Sequence, residues 1–177
     1  MDRALHAARI DADGLATAGL RLGGAGEGRS VRRIAVNISV MQPFHLAFPV
    51  TSLAKARAFY GDLLGCPEGR SSDEWVDFNF YGHQIVAHLS PNEAGHRNTS
   101  AVDGDNVPVR HFGMVLTMAD WQVLADKLTQ AQMKFIIEPH IRFKGQVGEQ
   151  ATMFFLDPCG NALEFKAFAD PSRLFAK

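Results

Sequence analysis

Hydrophobic and polar residues alternate along several short stretches of this chain, and the alternation predicts β-strands. Successive side chains of a strand point to opposite faces, so each stretch should present one apolar face and one mixed face. The alternation begins at residues 44–51 and returns at residues 110–117. Apolar residues then recur at helical spacing after each stretch, and short strand candidates follow each predicted helix. The order β-α-β-β-β therefore occurs twice.

The two predicted copies occupy residues 43–90 and 109–168. In each copy a His on the first strand is followed six residues later by a Thr, as His45 with Thr51 and His111 with Thr117. Such internal repetition has to be read before a fold is assigned, because each copy is then one structural unit. Residues 90–106 between the copies are rich in Asn, Gly, Ser and Asp, which predicts a connecting loop.

The bulky side chains of each opening strand lie on one face, which a helix must cover to remove it from water. The opposite faces then line a shared concave surface, called the cup below. This arrangement predicts an α+β fold in which two βαβββ modules form a curved mixed sheet with the helices outside. The predicted core residues are Phe44, Phe48, Leu63, Phe112, Leu116, Leu124 and Phe165.

Composition narrows the class of protein. The chain has 177 residues, 46% of them hydrophobic, and a formal net charge of -1, as is typical of one globular domain. Balanced charge argues against nucleic acid as a partner, and no apolar run approaches the roughly 20 residues of a membrane span. Two cysteines suit reduced thiols in a cytoplasmic protein. Residues 1–40, rich in Arg and Gly, predict a mobile extension before a folded domain at 41–177.

Glu164 is the residue in the second copy that most requires an explanation. Asp157 to Gly160 has the residue types of a type I turn, and the strand that follows places Glu164 on the same face as Ala162 and Lys166. Burying a carboxylate without a partner costs several kcal/mol, roughly the effective penalty per ion. Three explanations are open, namely a solvated face, a Lys or Arg partner, or a metal ion. His45 and His111 lie on the faces that turn toward the same cup.

Four segments together resemble the vicinal oxygen chelate superfamily, which includes glyoxalase I, bleomycin-resistance proteins and extradiol dioxygenases. These segments are residues 44–46, 59–65, 110–112 and 155–165. The resemblance implies paired βαβββ modules that curl into a cup around one divalent metal. It implies His45, His111 and Glu164 as the metal ligands, and a small molecule as the substrate. Members of this superfamily complete the cup within one chain or across a homodimer.

Two His and one carboxylate with open coordination positions suit Fe(II), with Mn(II), Zn(II) or Ni(II) as alternatives. A glyoxalase-like site would add a fourth ligand, but Val86 stands at the position in the first copy that matches Glu164. We therefore expect a dioxygenase resembling the extradiol type, acting on a substrate with two adjacent oxygens. His88 is the expected acid/base group, although it could instead serve as a fourth ligand.

Arg142, in a predicted loop at residues 138–149, is expected to hold an anionic group of the substrate. Two alternatives to the dioxygenase stay open. One is a glyoxalase-like lyase or isomerase that uses the metal as a Lewis acid. The other is a binding protein like those that confer bleomycin resistance, which needs no metal.

Overall fold

The computed structural model describes residues 42–95, 98–102 and 105–175. The predicted mobile extension at residues 1–40 lies outside this part of the chain. The compact unit that contains every element below begins at Phe44. Among the described residues, no helix is long and apolar enough to cross a membrane.

The first module contains four strands and one helix. They are β1 (His45–Val50), α1 (Leu53–Ala56, continued by a π-helix at Arg57–Leu63), β2 (Glu68–Ser71), β3 (Trp75–Phe80) and β4 (His83–Leu89). The second module repeats that order. It consists of β7 (His111–Leu116), α2 (Met118–Gln130), β8 (Phe135–Arg142), β9 (Gln150–Leu156) and β10 (Ala162–Phe168). Between the modules lie β5 (Thr99–Val102) and β6 (Asp105–Pro108), and a short 3-10 helix (Pro171–Phe175) follows β10.

Each module forms a four-stranded mixed sheet with the same topology. The strand orders are β1-β4-β3-β2 and β7-β10-β9-β8. The opening strand runs parallel to the last strand of its module, and the remaining neighbours are antiparallel. This topology confirms the predicted α+β fold with two βαβββ modules. It also leaves β1 and β7, the strands that carry the two His residues, at the edges of their sheets.

The two helices begin with the same kind of side-chain cap and end in different ways. Ser52 and Thr117 cap α1 and α2 by accepting bonds from backbone N–H groups of the first turn. Gly65 follows the first helix with φ 77°, the left-handed conformation that glycine adopts readily. No glycine is placed to end α2, and Gln132 takes up that conformation with φ 56° instead. The chain therefore leaves α2 through a non-glycine residue in the left-handed region, which is a strained conformation for it.

One continuous hydrophobic core joins the two modules on the helix-covered faces of the sheets. Phe48, Leu124 and Phe165 are buried in it as predicted, and Leu63, Phe112 and Leu116 pack against it while partly exposed. Phe44 contradicts the prediction, because its side chain is 45% exposed. It precedes the first residue of β1, so alternation along the strand does not carry its side chain into the core.

Two predicted loops are shorter in the structure. Residues 90–106 were expected to be loop throughout, but β5 and β6 pair there as a small antiparallel sheet. Residues 138–149 were expected to form one long loop, but β8 continues to Arg142 and leaves a loop only at 143–149. Arg142 is therefore the last residue of a strand. Both segments carry polar residues on exposed strands, which composition alone does not distinguish from loop.

Asp157 holds the turn before β10 and fixes it to the first module. Its Oδ1 accepts bonds from the backbone N–H groups of Cys159 and Asn161, each at 2.8 Å. Its Oδ2 accepts from Asn161 Nδ2 at 2.8 Å and from the Tyr60 hydroxyl of α1 at 2.9 Å. Asn161 Nδ2 also donates to the carbonyl of Pro49 in β1 at 2.9 Å. Burial and the Asp157 charge raise the pKa of Tyr60 well above its usual value.

We expect Asp157→Ala to lower the free energy of unfolding by about 3 kcal/mol, because buried donors lose their acceptor. The melting temperature should fall by roughly 10 °C. Tyr60→Phe removes one donor and should cost about 1 kcal/mol. Chemical denaturation of both single variants and the double variant gives the coupling energy between the two side chains. Fully additive costs would contradict a direct bond between them.

Candidate metal site

The register of β10 brings the candidate residues of the second module to one place. Glu164 is paired with Gly113 of β7 on one side and with Phe154 of β9 on the other. A Cβ atom on Gly113 would overlap the backbone carbonyl of Glu164, so only glycine lets β7 approach β10 this closely. This close approach fixes the distance between the two strands that carry His111 and Glu164.

His111 and Glu164 form a directed pair on the cup face. The Nε2 atom of His111 lies 3.3 Å from Oε2 of Glu164. The other ring nitrogen, Nδ1, lies 2.6 Å from the carbonyl oxygen of Pro108, so Nδ1 is the atom that carries a proton. The ring also packs edge-on against Phe154, with centroids 5.1 Å apart. His111 therefore turns Nε2 toward the carboxylate and is held there from two other sides.

The second oxygen of Glu164 is held by two side chains to which the sequence analysis gave no role. Thr152 of β9 donates its hydroxyl to Oε1 at 3.0 Å, and the Lys166 ammonium lies 3.2 Å from the same oxygen. Lys166 was predicted to share the face of Glu164, and that spacing was the available signal. Thr152 could not be found in this way, because its position depends on the register between β9 and β10.

These contacts determine the protonation of the pair. Burial alone would raise the pKa of Glu164, but the bond with His111, the charge of Lys166 and the Thr152 hydroxyl together lower it below its usual value. The bond with Glu164 raises the pKa of His111, against a smaller opposing effect of burial. Glu164 thus has a Lys partner and a hydrogen bond with His111, and a Lys or Arg partner is one of the three explanations considered for this carboxylate.

His45 occupies the corresponding position in the first module but is not brought to this pair. Its side chain is exposed on β1, and its Nδ1 lies 2.7 Å from Oε1 of Gln84. Within the described ranges, no group of three or more His, Cys, Asp or Glu residues is arranged to hold a metal ion. One chain therefore assembles His111 with Glu164, while His45 stands apart from them.

The remaining candidates are distributed over the two sheets. Val86, paired with Asp77 and Ala47, stands where Glu164 stands in the second module, so the first module has no counterpart of this carboxylate. His88 is exposed on the same face of β4, two residues further along. Arg142 ends β8, with its guanidinium carbon 5.2 Å from the centroid of the Phe143 ring.

A cleft between the edge strands β1 and β7 reaches His111. Its lining contains apolar residues of both edge strands together with the polar side chains of Glu93, Arg110 and Asn161. The lining residues include Ala47, Pro49, Arg110, His111, Asn161 and Ala162.

Two four-stranded mixed sheets of βαβββ topology, with a His and a Glu together on one face, define the class of protein. The model of the Glyoxalase/Bleomycin resistance protein/Dioxygenase superfamily matches residues 42–165. This chain belongs to that superfamily, as its resemblance to the vicinal oxygen chelate proteins implied.

Solved structures agree with this assignment. A glyoxalase/bleomycin resistance protein/dioxygenase from Alicyclobacillus acidocaldarius is 32% identical over 76% of this chain and 96% of its own, with a TM-score of 0.63. The fosfomycin resistance protein of Listeria monocytogenes is 18% identical over 77% and 99%, with a TM-score of 0.56. The lactoylglutathione lyase of Agrobacterium tumefaciens is 18% identical over 75% and 96%, with a TM-score of 0.53. The last two show the fold alone. No curated protein matches the chain significantly.

We expect Glu164→Gln to lower the melting temperature of the metal-free protein slightly, because Lys166 and His111 lose their anionic partner. The cost should be about 1 kcal/mol, since Lys166 is partly solvated. If Glu164 binds metal, Mn(II) at 100 times its Kd should stabilise the wild type by about 2.7 kcal/mol and the variant by far less.

Thermal unfolding of both proteins, with chelator and with Mn(II), measures these effects. Glu138→Gln is the matched control, because it removes an exposed carboxylate of the same sheet. It should respond to Mn(II) as the wild type does. Equal metal responses of wild type and Glu164→Gln would remove Glu164 from any metal site.

Proposed function

We propose that this protein is a metal-dependent dioxygenase of the extradiol type, acting on a small molecule with two adjacent oxygens. The proposal rests on one observation above the others, the convergence of His111 Nε2 and Glu164 Oε2 at 3.3 Å on the cup face. Superfamily membership and the 32% identical glyoxalase/bleomycin resistance protein/dioxygenase of Alicyclobacillus acidocaldarius support it.

The donor set fits a divalent metal. Two imidazoles and one carboxylate suit Fe(II) or Mn(II) with coordination positions left open. Hydrogen bonds at Nδ1 of both His45 and His111 leave Nε2 of each ring as the nitrogen that can bind a metal, which is how metal-binding His residues are usually oriented. At His111 the metal would replace the proton that Nε2 donates to Glu164. Thr152 and Lys166 hold one oxygen of Glu164 and leave the other oxygen as the ligand atom.

The third ligand, His45, is proposed to come from a second copy of the chain. His111 and Glu164 lie together within one chain, whereas His45 projects from the edge strand of the other sheet. A two-fold symmetric dimer would use each contact twice and build two equal sites. Each cup would then consist of the first module of one copy and the second module of its partner.

When bound, the metal supplies Lewis acidity to the two substrate oxygens and, as Fe(II), electrons for dioxygen. The protein's own residues hold the substrate and move its protons. The Lys166 ammonium offsets negative charge on a deprotonated substrate oxygen, as fixed cations do in sites that exclude water. His88 is proposed to accept the proton, since its ring is exposed on the cup face of β4. Arg142 is proposed to bind an anionic group of the substrate.

The position of Val86 favours the dioxygenase over a glyoxalase-like lyase. At the position of β4 that matches Glu164, a fourth protein ligand is replaced by Val86, which is buried beside Asp77. With three protein ligands, positions stay open for two substrate oxygens and dioxygen. Oxygen uptake with catechols under Fe(II) distinguishes the two reactions, because a lyase consumes no oxygen.

Mixing two variants tests the shared site. His45→Ala and His111→Ala should each bind no metal at the site as homodimers. After unfolding and refolding together in equal amounts, about half the dimers are mixed, and each mixed dimer has one intact site, so about a quarter of wild-type metal binding should return. Mn(II) titration followed by electron paramagnetic resonance counts the sites.

The matched control mixes His111→Ala with Glu164→Ala. His111 and Glu164 both belong to the second module, so in a mixed dimer each of the two sites lacks one of them. Neither site is complete, and no metal binding should return. If the His45→Ala and His111→Ala mixture also recovers nothing, a shared site is excluded. Sedimentation of the wild type adds an independent measurement, because a monomer that binds metal at full strength would contradict the dimer.

Arg142→Ala should raise KM about tenfold or more and leave metal content unchanged, because substrate binding is lost and the ligands are not. Lys144→Ala is the matched control, since it removes an exposed cation of the adjacent loop. Steady-state kinetics and metal analysis of both variants check the expectation. Equal KM values for Arg142→Ala and the wild type would exclude Arg142 from substrate binding.

A further inference from the structure

Asp77 is a carboxylate that the proposed chemistry does not use. It lies in the middle of β3 and is only 6% exposed, which is unusual for an acidic side chain on a sheet. Its Oδ2 accepts a bond from Nε2 of Gln84 at 2.9 Å, and Arg70 NH2 lies 3.6 Å from the same atom. Gln84 in turn presents its Oε1 to Nδ1 of His45 at 2.7 Å. These contacts connect a buried carboxylate to the exposed His of the edge strand.

The direction of this chain of hydrogen bonds follows from the chemistry of its groups. An ionised carboxylate can only accept, so the Gln84 amide must turn its NH2 group toward Asp77. The amide oxygen then faces His45 and can only accept. Nδ1 of His45 must therefore be the ring nitrogen that carries the proton, which leaves Nε2 with its lone pair.

In the second module a different group accepts the hydrogen bond from Nδ1 of the corresponding His. There the carbonyl oxygen of Pro108 accepts from Nδ1 of His111. At the positions that match Asp77 and Gln84, β9 and β10 carry Phe154 and Ala162. The polar pair is thus found only in the first module, where Gln84, among the residues that the structure describes, takes the role that a backbone carbonyl has in the second.

We propose that Asp77 and Gln84 are positioning residues that hold His45 in the Nδ1–H tautomer, so that its Nε2 can bind a divalent metal. The part of this inference that concerns metal binding rests on the proposed function. The part that concerns the tautomer of His45 is independent of it. Gln84 acts directly on His45, and Asp77 acts by fixing the orientation of the Gln84 amide.

Long-range 1H–15N correlation spectra of metal-free, 15N-labelled protein measure the tautomer of each neutral imidazole. His45 should give the Nδ1–H pattern. His83 supplies an internal control with the opposite expectation, because its Nδ1 accepts from the backbone N–H of Phe44 at 3.1 Å and its proton must be on Nε2. A wild-type His45 in the Nε2–H form would overturn the proposal without any variant.

Gln84→Leu removes the acceptor and should shift His45 toward the Nε2–H form. Asp77→Asn allows the amide group of Gln84 to take either orientation, so His45 should then show a mixture of both tautomers. This variant also provides the test if Gln84→Leu does not fold. Gln150→Leu, a Gln exchanged in the other sheet, should leave His45 unchanged. An unaltered His45 spectrum in both Gln84→Leu and Asp77→Asn would overturn the positioning role.

Calorimetric titration with Mn(II) separates the two proposals. Gln84→Leu should bind Mn(II) about 10 to 100 times more weakly than the wild type, as is common when the partner of a ligating His is lost. If Gln84→Leu and the wild type bind Mn(II) with equal affinity, the hydrogen bonds of Asp77 and Gln84 do not contribute to metal binding, and that part of the proposal is overturned. A wild type that binds no Mn(II), with His45 in the Nδ1–H form, would overturn the proposed function while leaving the tautomer assignment supported.

Discussion

The four hydrogen bonds accepted by Asp157 are the interaction on which the rest of the molecule depends. This carboxylate closes the turn that starts β10, the strand that carries Glu164 and Lys166. Through the hydroxyl of Tyr60 it also fixes that turn to the helix of the first module. Because both oxygens are fully used, the buried charge is compensated, and the start of β10 has one position relative to the first module.

The two modules have the same order of elements but unequal polar faces. The second module carries Glu164, with Thr152 and Lys166 around it, and its His111 is oriented by a backbone carbonyl. The first module has Val86 in place of the carboxylate and devotes Asp77 and Gln84 to a single imidazole. One sheet therefore carries a carboxylate with its partners, and the other carries an imidazole whose Nδ1 is held by a hydrogen bond. Within the part of the chain that the structure describes, neither sheet by itself brings together three side chains that could hold a metal ion.

Periodicity predicted the fold well because alternation and helical spacing are properties of local sequence. The two βαβββ modules and the burial of Phe165 follow from residues within single elements. Phe44 was assigned wrongly because a strand boundary, which local pattern defines poorly, separates it from β1. The hairpin of β5 and β6 was missed because its stability depends on pairing between polar strands.

The candidate site was less accessible to sequence because it depends on register. Glu164 and His111 could be assigned to one face from alternation, but their approach requires β7 to lie close against β10, which Gly113 permits. Thr152 reaches Glu164 only because β9 is paired with β10 in the observed register. His45 does not approach Glu164 and His111 because of the way the two sheets are arranged. The pattern of residues within one strand contains no information about that arrangement.

The edges of the sheets limit how two copies could combine their half-sites. Exposed strand edges invite pairing with another chain, and natural edges are often blocked by proline. Pro49 in β1 has no N–H to donate, and its carbonyl already accepts from Asn161. A continuous hydrogen-bonded ladder through this end of β1 is therefore disfavoured. Two copies would therefore have to meet through side chains and through the end of β1 that carries His45. In the proposed dimer, that same end has to place the His45 imidazole near Glu164 of the other copy.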